Sequence, residues 1–254
     1  MVHFVGAGSG APDLITVRGR RLLREADVVI YAGSLVNPEI LEVCRENAEI
    51  YNSAVMTLEE VISVIEAAEA EGKNTVRLHT GDPSVYGAIR EQIDALEKKR
   101  IPYDNTPGVS SFCGAAAALN LEYTLPGISQ SVILTRMEGR TPMPERETIE
   151  SFASHRATMV IFLSAGMLAG LRNRLIAGGY ESDTPAAIVY KATWPDEETH
   201  LCTVGSLPET AERFGISKTA LIIVGETLRQ CGYERSKLYD PSFETEFRSS
   251  REET

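Results

Sequence analysis

Three short segments carry the residue types that let a backbone approach a small molecule closely. Gly6-Ala7-Gly8-Ser9-Gly10 runs on into Pro12 and Asp13. His79-Thr80-Gly81-Asp82-Pro83 continues into Val85-Tyr86-Gly87, and Thr106-Pro107-Gly108-Val109 leads into Ser110 and Ser111. Glycine has no Cβ, so its amide and carbonyl can come against a ligand or another chain segment. Asp82 can accept a charge-assisted bond from an ammonium or hydroxyl group; its alternative role is to form the turn before Pro83. The first segment resembles a dinucleotide-binding turn, but its spacing is GxGxG where that turn needs GxGxxG. The second strand, Val28–Tyr31, runs into Ala32-Gly33-Ser34 without the carboxylate that would hold a ribose. A nicotinamide cofactor is therefore disfavoured.

Other candidates are charged or titratable. Arg136 and Arg140 lie on a segment rich in glycine and proline, and the guanidinium fork suits a carboxylate; a solvated loop is the alternative. Arg18, Arg20 and Arg21 read as one helix face. His79 ends a strand and is either packed or a proton carrier. Tyr86, Lys191 and Glu197 are weaker polar candidates. No nucleophile–base triad is visible, so no catalytic residue is assigned, and no metal-ligand spacing occurs. Cys44, Cys113, Cys202 and Cys231 form no CxxC pair, which fits buried free thiols.

The elements that must position these residues follow from hydrophobic period. Strands are expected at Val2–Val5, Val28–Tyr31 and Thr75–His79, with helices at Thr16–Glu25, Leu58–Glu69 and Ala88–Leu96. Thr16 is placed to cap the first helix. Alternation of strand and helix implies βαβ units and a mainly parallel sheet, whose carboxyl edge is where ligands bind. All three glycine-bearing turns fall on that edge. Ser110–Leu119 reads as an Ala-rich helix. The pattern breaks at Pro126-Gly127, and a second half follows with strands at Ser131–Thr135, Met159–Leu163, Ala186–Tyr190 and Ala220–Val224. The α/β chain thus divides into domains at 1–124 and 125–240, with a polar tail at 241–254.

With 254 residues, 43% hydrophobic and 24% charged, the composition is that of a globular protein. A net charge of −11 argues against nucleic acid and against an anionic membrane surface, while leaving room for a locally basic, anion-binding site. No apolar run approaches a membrane span, and MVHFVGAG enters a strand directly, without a basic leader. A cytoplasmic protein is expected.

The segments GAGSGAPDLIT, HTGDPSVYG, TPGVSS and TALIIVGETL together resemble the tetrapyrrole methylase family. Further stretches, YAGSLVNPEIL, GDPSVYGAIREQIDAL, LTRMEGRTPMPERE and VYKATWPDEE, narrow the likeness to its corrin branch. The resemblance runs from about residue 2 to residue 248. Family members usually carry proline where Ser9 stands, and many carry aspartate where Ala11 stands. The resemblance implies two α/β domains with the active site in the cleft between them. It also implies a homodimer, and S-adenosyl-L-methionine as methyl donor with S-adenosyl-L-homocysteine as product. Pro12, Thr80, Gly81, Asp82, Val85, Ser110 and Ser111 would line the cofactor, with Leu163, Ala192 and Ala220 around the adenine. The substrate would be an anionic tetrapyrrole, precorrin-4 or cobalt-precorrin-4, methylated at C11 in cobalamin biosynthesis, with Arg136, Arg140 and Tyr86 toward it. Alternatives are a sister methylase acting at another ring carbon and, from a different class, a non-catalytic tetrapyrrole carrier.

Overall fold

A computed structural model of the chain describes residues 1–250; the last four residues of the polar tail, 251–254, lie outside the described residues. The chain forms two compact units. The first holds Met1–Ala118 together with Lys191–Glu198, and the second holds Leu119–Tyr190 and the chain from Thr199 onward. By contacts the division thus falls at 118/119, where the sequence pattern suggests 124/125, and the segment Lys191–Glu198, which leads from one later strand into the first residue of the next, belongs to the first unit.

The first unit contains β1 (Val2–Gly6), α1 (Val17–Glu25), β2 (Val28–Tyr31), β3 (Glu49–Asn52), α2 (Leu58–Ala70), β4 (Thr75–His79), α3 (Ile89–Lys99), β5 (Tyr103–Thr106) and α4 (Ser111–Ala118). Thr16 caps α1, its hydroxyl accepting from Gly19 N at 3.1 Å. Thr57 and Glu60 form a reciprocal capping box at α2. The strands pair in the order β3-β2-β4-β1-β5, and every pairing is parallel. Alternate residues feed two cores. Val2, Phe4 and Ile30 pack with Ile62 and Ile65 of α2 and Leu96 of α3; Val5, Val29, Val76 and Leu78 pack with Leu23 and Ile40 on the other face. The edge strands β3 and β5 escape hydrophobic-period reading because Glu49-Ile50-Tyr51-Asn52 and Tyr103-Asp104-Asn105-Thr106 are largely polar, as solvent-facing edges can be.

The second unit contains β6 (Val132–Arg136), α5 (Ile149–Ala153), β7 (Thr158–Phe162), α6 (Leu168–Ala177), β8 (Pro185–Tyr190), β9 (Glu198–Thr203), α7 (Leu207–Phe214) and β10 (Ala220–Val224). Its order is β6-β7-β10-β8-β9. β6 and β7 run parallel, whereas β10 is antiparallel to both β7 and β8, so this sheet is mixed. Its core gathers Met159, Ile161, Ile188 and Ile222 with Leu171 and Leu175 of α6 and Leu207 of α7.

All four cysteines are free, but Cys113 and Cys231 are exposed and Cys44 and Cys202 are only half-buried, so they are not the core thiols that composition suggests. Among the described residues no helix is long and apolar enough to cross a membrane.

Candidate functional site

The sheet order of the first unit sets β4, β1 and β5 side by side, with Gly6 level with His79. The three glycine-bearing turns therefore leave one edge of the sheet as neighbours. They touch backbone to backbone. Ala7 N donates to His79 O at 2.7 Å, and Gly81 N donates to Gly8 O at 2.8 Å. A Cβ at Gly6 would stand 2.5 Å from both Gly108 Cα and Gly81 O, and one at Gly108 would stand 2.1 Å from Gly81 O. The junction exists only because these positions have no side chain. Gly81 is constrained differently: its φ is +59°, while a Cβ there would meet nothing closer than 3.4 Å.

Asp82 fastens the second turn to the third. Its Oδ1 accepts from Ser84 N at 2.8 Å and from the Ser84 hydroxyl, and its Oδ2 accepts from Gly108 N at 2.8 Å. Partial burial pushes its pKa up, but these three bonds outweigh burial and hold it below the usual carboxylate value. The turn-forming role is thus what the carboxylate performs here, extended by a link across 26 residues that spacing could not reveal. Thr80 donates its hydroxyl to Leu35 O at 3.2 Å. Val85 is half-buried, and Tyr86 is exposed at φ 55°. Ser110 is buried and its carbonyl accepts from Cys113 N at 3.0 Å; Ser111 begins α4. Pro12 opens a short 3-10 turn, Pro12–Leu14.

The first turn has a partner on the segment 191–198. Ser9 Oγ and Thr193 Oγ1 are hydrogen-bonded at 2.9 Å, and Ala11 N donates to Thr193 Oγ1 at 3.1 Å. Glu197 accepts from Thr193 N at 2.5 Å, and Lys191 Nζ pairs with Asp196 at 2.5 Å, so the segment is internally braced. Serine at position 9 is therefore a hydrogen-bonding residue of the turn. Ala192, buried next to Thr193, lies in the same unit as the glycine turns.

In the second unit, Leu163 directly follows β7 and Ala220 begins β10. Leu163 stands at φ 53° with 63% of its surface exposed, an uncommon state for a leucine. The buried Ser164 beside it accepts from Met137 N at 2.9 Å and donates to Phe162 O at 2.6 Å. The two arginines differ. Arg136 turns its guanidinium onto its own loop, donating to Met137 O at 3.1 Å, Thr141 O at 3.3 Å and Pro142 O at 2.9 Å. Arg140 is exposed and makes no ion pair among the described residues. A cavity of about 280 Å³ beside this loop is lined by Arg136 and Arg174 but also by Glu138, Glu145 and Glu147, a mixture ill suited to a polyanion. Arg18, Arg20 and Arg21 are exposed on α1.

His79 is buried beside Phe4, and its Nε2 has no partner among the described residues. Burial, with the neighbouring Arg77 charge second, pushes its pKa down to about 3. It is neutral at ordinary pH, which favours the packed histidine over the proton carrier.

Sequence reading misses one class of site feature. Tyr86, Ala88, Leu163, Lys191, Thr193 and Thr219 all take positive φ at or beside these loops. Such strain gathers at functional loops, but only glycine advertises it in a sequence.

Comparison with known proteins agrees with this geometry. The family model described as Tetrapyrrole (Corrin/Porphyrin) Methylases matches residues 1–208. A cobalt-precorrin-4 C(11)-methyltransferase of Methanocaldococcus jannaschii is 55% identical over 249 residues, covering 98% of this chain and 96% of the relative. Among solved structures, a cobalamin biosynthetic enzyme, cobalt precorrin-4 methyltransferase, superposes with a TM-score of 0.88 at 44% identity, covering 89% of this chain and 95% of that one. A uroporphyrin-III C-methyl transferase from Thermus thermophilus, solved with S-adenosyl homocysteine, gives 0.77 at 26% identity, covering 91% and 99%.

Proposed function

This chain belongs to the tetrapyrrole methylase family, and from that premise we propose that it transfers the methyl group of S-adenosylmethionine to C11 of precorrin-4 or cobalt-precorrin-4 in cobalamin biosynthesis. The observation that carries the reading is the glycine junction, where three turns meet with no Cβ between them. Likeness at 55% over nearly the whole chain to a C(11)-methyltransferase, against 26% to a uroporphyrin enzyme, favours C11 over a sister ring position.

The residues fit the cofactor. Gly6, Gly81 and Gly108 bring three turns together as bare backbone at one sheet edge, and backbone without side chains lets the ribose and methionine end of a cofactor approach closely. Thr80, Gly81, Asp82, Val85, Ser110, Ser111 and Pro12 are the proposed cofactor contacts. Bound S-adenosylmethionine supplies an already activated methyl on its sulfonium. The protein's share is to orient the reacting groups and exclude water, which can lower a barrier by up to about 7–11 kcal/mol. Neutral His79 moves no proton at neutral pH. Arg140 is the proposed carboxylate contact for the macrocycle, and Arg136 shapes the loop that carries it.

Incubation with methyl-labelled S-adenosylmethionine and either macrocycle tests this, with the product located by mass and NMR. One label at C11 is expected, and a folded enzyme that methylates neither macrocycle overturns the reading. Relative turnover on the two forms decides the cobalt question. Arg140→Ala is expected to raise the macrocycle KM with S-adenosylhomocysteine affinity intact. A loss of about 2–5 kcal/mol indicates a contact buried on binding, and about 0.2–1 kcal/mol an exposed one. We also propose a homodimer, supported by the exposed Tyr239, Phe243 and Phe247 of the C-terminal segment; a monomeric mass by light scattering at micromolar concentration refutes it.

A further inference from the structure

β4 carries a cation through the middle of a core. Arg77 is 6% exposed, packed on the face that holds Phe4 and Ile30, and makes no ion pair among the described residues. A buried charge without a carboxylate is costly and is retained only where neutral acceptors hold it firmly. Arg77 Nε donates to Gln92 Oε1 at 2.9 Å, and Nη1 donates to Ile30 O at 3.1 Å.

Gln92 is equally buried, on the first turn of α3. Its amide has two ends, one accepting and one donating, whereas a guanidinium can only donate. Arg77 therefore dictates which end of Gln92 faces it. The other end, Nε2, is left pointing to Ala88 O, where it donates at 3.0 Å.

Ala88 is the last residue before α3 and closes the Gly81–Gly87 turn. It sits in the left-handed region, φ 49° and ψ 38°, and no side chain caps the helix at that point. Tyr86, two residues earlier, is also at positive φ. This exit holds an unfavourable conformation that glycine would adopt freely and alanine does not.

We infer that Arg77 and Gln92 are positioning residues for the cofactor turn: the buried cation orients the Gln92 amide, which holds the Ala88 carbonyl and the strained exit of the turn. The cofactor consequence rests on the reading that this turn binds S-adenosylmethionine; the mechanical one does not.

Gln92→Glu separates the two ends. Beside Arg77 its carboxylate stays ionised and keeps the cation satisfied, but it cannot donate to Ala88 O. The variant is expected to melt no lower than wild type while amide hydrogen exchange at Val85–Ile89 quickens without ligand. The S-adenosylhomocysteine dissociation constant and the S-adenosylmethionine KM should each rise on the order of tenfold, the worth of one lost hydrogen bond, with the macrocycle KM unchanged. Wild-type exchange at Val85–Ile89 in Gln92→Glu overturns the inference. So does wild-type cofactor affinity, given wild type that binds S-adenosylhomocysteine. Wild type that fails to bind it refutes the proposed function, and the exchange rates still decide the relay. Should Gln92→Glu not fold, Arg77→Met with Gln92→Met replaces both partners by apolar groups, removes the same donor, and is read the same way.

Discussion

Both units hold non-glycine residues at positive φ in their strand-end loops, Tyr86, Ala88 and Thr193 in the first and Leu163 and Thr219 in the second, but the first also joins three turns through glycines. In the first, Gly6, Gly81 and Gly108 let three turns touch directly, and Asp82 ties two of them. In the second, Leu163 and Thr219 hold positive φ with full side chains, and the buried Ser164 braces the turn next to Leu163. The polar cores differ likewise. The first buries ionisable Arg77 and His79; the second buries hydroxyls, Thr158 donating to Tyr123 O at 2.9 Å and paired with Thr227 at 3.1 Å. Glycine obtains close approach at no steric cost but supplies no side chain. A strained leucine costs stability and leaves an apolar surface at the loop. The first unit should therefore be intolerant of added atoms and sensitive to pH, and the second should gain stability when its strain is released.

The largest expected effect is at the glycine junction. Gly108→Ala places a Cβ 2.1 Å from Gly81 O and 2.7 Å from Gly6 Cα, contacts with backbone that cannot swing away. A destabilisation of at least about 3 kcal/mol is expected by denaturant titration, at the upper end of overpacking penalties. A wild-type midpoint would mean that the three turns need not touch.

Next is the ionisable core. His79 titrates near 3 when folded and near 6.5 when unfolded. Between those values the unfolded chain binds more protons, so stability rises with pH and is lost as pH falls below about 6.5. A loss of about 3 kcal/mol is expected between pH 7 and pH 4 from this group. His79→Leu should flatten that part of the profile; an unchanged slope assigns the acid sensitivity elsewhere.

Releasing strain in the second unit should act in the opposite direction. Leu163→Gly frees a left-handed leucine, worth about 1–2 kcal/mol, against about 0.5–1 kcal/mol of added chain entropy. Because Leu163 is 63% exposed, little burial is lost. A melting temperature a few degrees higher is expected, with weaker S-adenosylhomocysteine binding as the counterpart. Lower stability would show that the conformation is not strained.

The smallest effect tests the tie at the first turn. Ser9→Ala removes the 2.9 Å bond to Thr193 and should cost about 1 kcal/mol. Thr193 keeps its bond from Ala11 N, so cofactor affinity should fall by less than in Gly81→Val, which must carry a β-branched side chain at φ +59°. Equal losses would make Ser9 a contact residue of the site.

Much of the frame was legible in the chain itself. β2 and β10 coincide with apolar runs whose ends are turn residues, and Thr16 caps α1 as its position suggests. The junction was legible as three glycine turns on one sheet edge, because glycine reports backbone freedom directly. Its strained counterparts, Leu163 and Thr193, carried no such mark. The edge strands β3 and β5 did not show either: Tyr51 and Tyr103 pack on the core, but Glu49, Asn52, Asp104 and Asn105 around them break the apolar run.

What the sequence by itself determined is therefore local: which apolar runs form the core, where helices begin, and where the backbone bends without a side chain. What only the tertiary structure decided is partnership. Asp82 meets Gly108 across 26 residues and Ser9 meets Thr193 across 184, while Arg136 turns back on its own loop. Hydrophobic burial is non-directional, so periodicity records it. A hydrogen bond needs one partner at one distance and angle, and the order in which strands join the sheet settles which partner that is.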